Sequence, residues 1–336
     1  MKILVYDVAA ENGGAVTVLQ SFYEEFCKDT ENEYLFVLSV CELAEQPHIQ
    51  VLNFPWVKKS PLHRLFFDHF TAPGLVKKYN IDEVLSLQNI ELPHAGVPQT
   101  VYEHNALPFS EHQFRLSEAP DLWVYQQILG RMMKRSIRRA KKVMVQTNWM
   151  KEEIIRQCRI PAERIEIRFP AVEMLPAKPW HLNQEKPVFF YPANASAYKN
   201  HRTFFNACRQ LSENGFHNYE VIWTVTGEEN DSIRQIRKEA EEKGLPICFR
   251  GPLPRKDLFD LYASSVLVFP SYIETIGLPL LEARHAGAWI LAADCRYAKD
   301  LIGDYKRAVF FAALDAAALG REMEKFLGFC VENNID

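Results

Sequence analysis

None of the seven cysteines stands in a Cys-x-x-Cys pair. Their odd number and wide scatter, from Cys27 to Cys330, give neither a disulfide framework nor a zinc site, so a reducing compartment is expected. No apolar run approaches the roughly 20 residues needed to cross a bilayer. The opening "MKILVYDVAAENGG" meets Asp7 too early for a signal peptide and reads as a first strand. There is no basic excess either: 39 Lys and Arg stand against 43 Asp and Glu, a net charge of −4, which argues against nucleic acid as a partner. No Asp-x-Asp occurs, and no His/Asp cluster has metal spacing, so no metal site and no cofactor are expected. The dinucleotide fingerprint G-x-G-x-x-G is missing too, which counts against a dehydrogenase.

What is present is the composition of a folded α/β protein, 48% hydrophobic and 12% aromatic over 336 residues. Short β-branched and aromatic runs alternate with helical stretches. "KILVYDV", "EYLFVLSV", "IQVLNFP", "EVLSLQ", "QTVYEH" and "KVMVQT" read as strands in the first half. "PVFFYPA", "YEVIWTVTG", "ICFRG", "SSVLVFP" and "AWILAAD" do so in the second. Helices are expected over 15–28, 121–141, 200–214, 230–243, 255–263 and 278–286. Continuous apolar strands alternating with helices predict parallel sheets buried on both faces. The proline-rich stretch "FPAVEMLPAKPWHLNQEKP" reads as a linker. This divides the chain into 1–170 and 171–315, two doubly wound domains. A helical segment over 316–336 follows, with Phe326, Phe329 and Cys330 as its apolar stripe, and it can pack on either domain, the first included. Ligands of such sheets bind outside the carboxyl ends of the strands, which for two facing domains means a cleft.

The segment "PSYIETIGLPLLEARHAG" follows the strand "SSVLVFP". Gly277 permits unusual backbone angles and Pro279 suits a first helical turn. Glu274 therefore falls on a strand-end loop and Glu282 inside the next helix. Amides around Thr275, Ile276 and Gly277 can receive an anion, aided by the helix dipole. A carboxylate accepts two charge-assisted hydrogen bonds from a vicinal diol.

This segment resembles the signature of glycosyltransferase family 4, retaining enzymes of the GT-B fold, with two Rossmann-like domains. The resemblance implies that Glu274 grips the donor sugar and Glu282 the nucleotide ribose. It also implies that Lys199, in "YKNHRTFF", neutralises the donor diphosphate beside Asn200. Where many relatives carry Gly-Arg, this chain has Ala193-Asn194, so the second phosphate cation is absent or supplied by Arg202 or Arg255. Leu253, in a Gly-Pro-Leu turn, is the candidate contact for the base. His104, after "QTVYE", is the candidate at the sugar's outer hydroxyl. Asn12, Gly13 and Gly14, after the first strand, are expected near the donor phosphates and the acceptor, and Thr147 and Asn148 at the cleft edge.

The implied activity is transfer of a hexose from a UDP-, GDP- or dTDP-sugar to a glycan or lipid-linked acceptor, in cell-surface or capsular polysaccharide synthesis. It would proceed without metal. A sugar-nucleotide epimerase or hydrolase of the same architecture, or a non-catalytic sugar-nucleotide or glycan-binding partner, remains the alternative. Two basic-aromatic segments, 54–70 and 130–142, make an anionic membrane surface a candidate partner, with the protein peripheral on the cytoplasmic face. In the second, seven of thirteen residues are Lys or Arg. There Met132, Met133 and Ile137 are expected to face inward, and Trp56, Phe66 and Phe67 of the first segment to lie nearby.

Overall fold

The computed structural model describes residues 1–336 except 12, 171–173, 177, 183–185 and 334–336, and no side chain from 329 onward. Asn12, Phe329 and Cys330 of the sequence reading thus lie outside the described residues or side chains. The chain divides into two units, Met1–Val172 and Glu173–Asp336.

In the first unit the strands are β1 (Lys2–Asp7), β2 (Glu33–Leu38), β3 (Ile49–Asn53), β4 (Glu83–Ser86), β5 (Gln99–Glu103), β6 (Lys142–Val145) and β7 (Ile165–Ile167). They form one parallel sheet in the order β3-β2-β1-β4-β5-β6-β7. Side chains of β1 alternate between two cores. Leu4 and Tyr6 enter one with Phe67, and Val5 enters the other with Phe22 and Leu38. Burial on both faces is what continuous apolar strands require. Chain order reverses between β1 and β4, so their carboxyl ends flank the switch point.

The unit's helices are α1 (Gly13–Phe26), α2 (Pro61–Phe66), α3 (Ala72–Lys78), α4 (Pro120–Val124), α5 (Gly130–Arg139) and α6 (Asn148–Cys158). A single π turn, Phe67–Thr71, joins α2 to α3, and another, Tyr125–Leu129, joins α4 to α5. The amides of Ala72 and Gly130 donate to the carbonyls of Phe67 and Tyr125, five residues back. Two expectations change here. Phe67 is a fully buried core ring, whereas Met132, expected inward, is half exposed; Met133 and Ile137 are buried.

In the second unit β8 (Val188–Tyr191), β9 (Glu220–Trp223), β10 (Ile247–Phe249), β11 (Val266–Phe269), β12 (Ile290–Ala293) and β13 (Ala308–Phe311) form a parallel sheet ordered β10-β9-β8-β11-β12-β13. Its switch point lies between β8 and β11. Helices α7 (His201–Glu213), α8 (Asp231–Glu242), α9 (Arg255–Tyr262), α10 (Leu278–His285), α11 (Arg296–Ile302) and α12 (Ala316–Asn333) accompany it. Helix α12 packs along α7 within this unit. Its Phe326 ring meets Phe189 at 6.1 Å and Trp289 at 5.9 Å. Among the described residues no helix is long and apolar enough to cross a membrane.

Candidate active site

The second unit's switch point brings its two principal charges together. After β8 the chain makes a short turn, Ala197–Lys199, and Asn200 takes a left-handed conformation (φ 62°) before α7 begins. The fully buried Tyr191 hydroxyl donates to the Lys199 carbonyl at 2.6 Å. After β11 the loop from Ser271 carries Glu274. Two hydrogen bonds tie the two loops: Asn200 Nδ2 to the Pro270 carbonyl (3.1 Å) and Tyr272 N–H to the Tyr198 carbonyl (3.1 Å). Asn200, expected to touch the donor, is buried and uses its side-chain amide as this tie.

On that frame the Lys199 ammonium forms an ion pair with Glu274, the two side chains only 14% and 13% exposed. Ser271 Oγ–H also donates to Glu274 Oε1, at 2.7 Å. The buried Tyr297 hydroxyl holds the Ser271 carbonyl at 2.5 Å. A loop carboxylate alone would be mobile; this one is fixed by an ammonium and a hydroxyl, and its partners are themselves held. Sequence reasoning missed Ser271, although it stood inside the quoted signature, and it missed Tyr191 and Tyr297. Nothing in a one-dimensional pattern reports that a distant tyrosine reaches a loop carbonyl.

Glu282 lies in α10 with its side chain 5% exposed. Tyr262, at the end of α9, donates to its Oε2 at 2.8 Å, and Arg255, at the start of α9, meets Oε1 at 3.1 Å. Burial and the Glu282 charge push the Tyr262 hydroxyl well above its usual range, which keeps it a donor. Of the two candidates for a second phosphate cation, Arg202 pairs with Glu239 of α8 at 2.9 Å, while Arg255 stands at Glu282. Gly277 caps α10 with φ 77°. A Cβ there would lie 3.3 Å from the Tyr297 ring and 3.4 Å from Leu280, so the position needs glycine for both angle and space. Ile276 is buried, Thr275 half-buried, Asn194 exposed and Leu253 half-buried. Asn194 Oδ1 accepts the Ser196 N–H at 3.0 Å, which shapes the loop before Lys199.

His104, Gly13 and Gly14 belong to the first unit. His104 is half-buried after β5, and its backbone N–H donates to Asn89 Oδ1 at 2.7 Å. Burial pushes its imidazole down to about 4, so it is neutral at physiological pH. Gly13 has φ 58°, and no atom lies within 4 Å of where a Cβ would stand on either glycine. Thr147 is buried at the residue before α6. Among the described residues no group of three or more His, Cys, Asp or Glu is arranged to hold a metal ion.

Comparisons with known proteins agree with this architecture. The family described as Glycosyltransferase Family 4 matches residues 10–174, and the one described as Glycosyl transferases group 1 matches 177–328. The O-antigen chain mannosyltransferase B of Escherichia coli is 28% identical over 182 residues, 50% of this chain and 47% of that protein. A D-inositol 3-phosphate glycosyltransferase of Streptomyces avermitilis is 37% identical over 94 residues, 27% of this chain and 20% of its own. The chain thus spans about half, or less, of the length of the curated relatives it matches. WaaG, a glycosyltransferase involved in lipopolysaccharide biosynthesis, superposes with a TM-score of 0.66 at 15% identity, over 98% of this chain and 90% of its own. Anabaena HepE in complex with UDP-glucose does so with 0.67 at 16%, over 99% and 90%. With two parallel Rossmann-like sheets and both halves matched in turn, the chain belongs to the GT-B glycosyltransferases of the family 4 type.

Proposed function

We propose that the protein transfers a hexose from a nucleoside diphosphate sugar to a hydroxyl of a glycan or lipid-linked acceptor, with retention, in the synthesis of a cell-surface polysaccharide. The observation that carries this reading is the Lys199–Glu274 pair at the β8/β11 switch point. An ammonium and a carboxylate in contact suit a ligand that is anionic at one end and hydroxylated at the other. Lys199 neutralises the diphosphate as it departs, with the amides of Thr275–Gly277 at the α10 N-terminus. Glu274 accepts hydrogen bonds from the sugar hydroxyls and Glu282 from the ribose, while Arg255 adds the second positive charge. Leu253 and Asn194 border the nucleotide, with Asn200 behind the lysine. The family resemblance assigns His104 to the sugar's outer hydroxyl and the Gly13–Gly14 turn to the phosphates. These groups supply the charge stabilisation without a metal. The E. coli relative is an O-antigen chain mannosyltransferase and WaaG is involved in lipopolysaccharide biosynthesis, which supports the pathway class.

A lipid-linked acceptor calls for a membrane-facing surface, and two exposed apolar stripes of the first unit support that reading. Leu62, Leu65, Phe66 and Phe70, all at least 55% exposed, lie along one side of the 61–78 helical stretch. Lys58, Lys59, Lys77 and Lys78 flank it. A second stripe, Val124, Ile128 and Met132, is exposed at four-residue spacing next to the bases of α5. An apolar face with flanking bases suits an anionic bilayer.

The test is a thermal-shift screen of UDP-, GDP- and dTDP-sugars, since a ligand of the folded state raises its apparent stability. The best donor is then turned over with a lipid extract, and NMR reads the anomeric configuration of the product. Conversion of donor without acceptor would move the assignment to a hydrolase or epimerase. Binding without turnover would leave a sugar-nucleotide-binding partner. Phe66→Ser with Phe70→Ser should abolish sedimentation with phosphatidylglycerol vesicles; unchanged sedimentation sinks the membrane role.

A further inference from the structure

The oxygens of Glu274 and Glu282 are used differently. Glu282 has a partner on each: Arg255 at Oε1 and Tyr262 at Oε2. On Glu274 both partners meet at one atom. The Lys199 ammonium and the Ser271 hydroxyl each donate to Oε1. Its Oε2 has no partner among the described residues, and it is not sealed from solvent as Asp7 Oδ2 and Glu103 Oε2 are.

The Ser271 hydroxyl is committed to this contact. Ser271 is fully buried, and three oxygens lie within reach of its Oγ. They are Glu274 Oε1 at 2.7 Å, the Tyr198 carbonyl at 3.3 Å and the Ile273 carbonyl at 3.4 Å. A hydroxyl has one proton to give. The carboxylate is both the nearest acceptor and the charged one, so it takes that proton. The backbone beneath is anchored in turn, since the Tyr297 hydroxyl donates to the Ser271 carbonyl. Burial, and then the Glu274 charge, push that hydroxyl well above its usual range, which keeps it a donor.

An ionised carboxylate oxygen offers two lone pairs. On Oε1 one meets the ammonium and the other the serine hydroxyl, so that oxygen is full before any ligand arrives. Two donors from two loops also fix the plane of the group. An ammonium alone is a compact charge with no preferred fork, about which a carboxylate can pivot. Oε2 is thereby left as the open acceptor in a fixed place.

We propose that Ser271 is a specificity-determining positioning residue: by filling Oε1 together with Lys199, it leaves Oε2 as the one oxygen of Glu274 that reads a hydroxyl of the donor sugar. The identity of the ligand rests on the transferase reading. A vicinal diol spread across both oxygens gives way to contact through a single atom. Without the Ser271 hydroxyl, Oε1 regains a lone pair and the carboxylate turns about the ammonium. A sugar lacking the hydroxyl that Oε2 reads is then rejected less firmly.

The experiment measures dissociation constants by titration calorimetry on the full chain. UDP-glucose, UDP-galactose, GDP-mannose and dTDP-glucose are tried first. The 3-deoxy, 4-deoxy and 6-deoxy forms of the one that binds are then compared with their parent. In the wild-type chain at least one deoxy position should weaken binding about tenfold or more, the usual worth of a hydrogen bond to a charged group. Ser271→Ala should shrink that ratio to about threefold or less and leave the other ratios unchanged. Affinity for the free nucleoside diphosphate should stay within about twofold of wild type. Glu274→Gln should collapse the same ratio, and adding Ser271→Ala to it should change nothing more. Ser271→Thr, which keeps the hydroxyl, should retain the wild-type ratio. Tyr297→Phe, one bond further back, should shift it in the same direction by less. The proposal is overturned if Ser271→Ala keeps every wild-type ratio or lowers all three together. It is overturned equally if affinity for the free diphosphate is lost as well, which marks a general loosening of the loop. Failure of all four nucleotide sugars to bind the wild-type chain would instead count against the donor-site assignment itself.

Discussion

At the β8/β11 switch point each carboxylate has partners: Glu274 has Lys199 and Ser271, and Glu282 has Tyr262 and Arg255. At the β1/β4 switch point Asp7 keeps an unpartnered oxygen, and elsewhere along the same sheet edge Ser39 Oγ and Glu103 Oε2 are buried without partners. The two sheets share one architecture, so the contrast lies in how the strand ends are equipped. A site whose groups hold one another is organised before its ligand arrives, and it answers mutation by losing rate. A site with an unmatched acid is under electrostatic tension while empty, and it answers mutation by gaining stability.

That contrast can be broken most forcefully in the second unit. Lys199→Met should lower turnover of the nucleotide sugar by about 10²–10³-fold, the usual loss when one preorganised charge at a developing anion is removed. Steady-state kinetics of the purified variant measure this, and a loss under tenfold would remove Lys199 from the chemistry. Glu274→Gln should cost a similar factor with little change in nucleotide affinity. It is a sharper variant than Glu274→Ala, because the ion pair makes Glu274 part of the local structure as well as a loop carboxylate.

The first unit should respond in the opposite sense. Burial holds the Asp7 carboxyl at about 6 and the Glu103 carboxyl well above its usual range. Both folded values exceed the unfolded ones, so stability is greatest below about pH 4 on this account and falls as pH rises through the folded values. For Asp7 the loss by pH 8 is about 2–3 kcal/mol. Asp7→Asn and Glu103→Gln should therefore unfold at higher urea concentration than wild type at pH 8 and not at pH 4. If both variants are less stable at pH 8, the strand-end acids are satisfied and the contrast fails.

Smaller effects refine the picture. Tyr262→Phe removes the hydroxyl that aims Glu282 and should raise the dissociation constant of the diphosphate about 3–10-fold with turnover nearly unchanged, read by titration calorimetry. Gly277→Ala should cost about 1–2 kcal/mol of thermal stability from its positive φ and the Tyr297 contact. A wild-type melting temperature would show that the α10 turn relaxes freely.

The pattern of the strands carried most of the fold. Eleven apolar runs became eleven of the thirteen strands, because burial of a strand writes itself into composition. The two that escaped, β7 and β13, close one edge of each sheet. "IEI" in β7 alternates with charge and ends three residues before Pro170, and the "AVFF" strand stays only partly covered. The strand-end residues Lys199, Glu274 and Glu282 were legible because their neighbours constrain the backbone in a recognisable order. The supports Tyr191, Tyr262 and Tyr297 were not, since they act across eight, twenty and twenty-six residues with no pattern in the sequence to join the partners. Nor did a 3.6-residue period foresee the π turns, neither the one ahead of α5, where Met132 was expected inward, nor the one at Phe67, where no helix was expected.

Those π turns make the outward apolar stripes a matter of chain length as much as of composition. Each residue of an α-helix turns the chain by about 100°. Deleting one position from Phe67–Thr71 would restore the ordinary ladder and swing Ala72, Pro73 and Val76 out of the core, bringing lysines in behind them. Single-residue deletions in this stretch should therefore be far less tolerated than substitutions of its exposed rings. In related chains, the length of this stretch would be kept even where its letters drift.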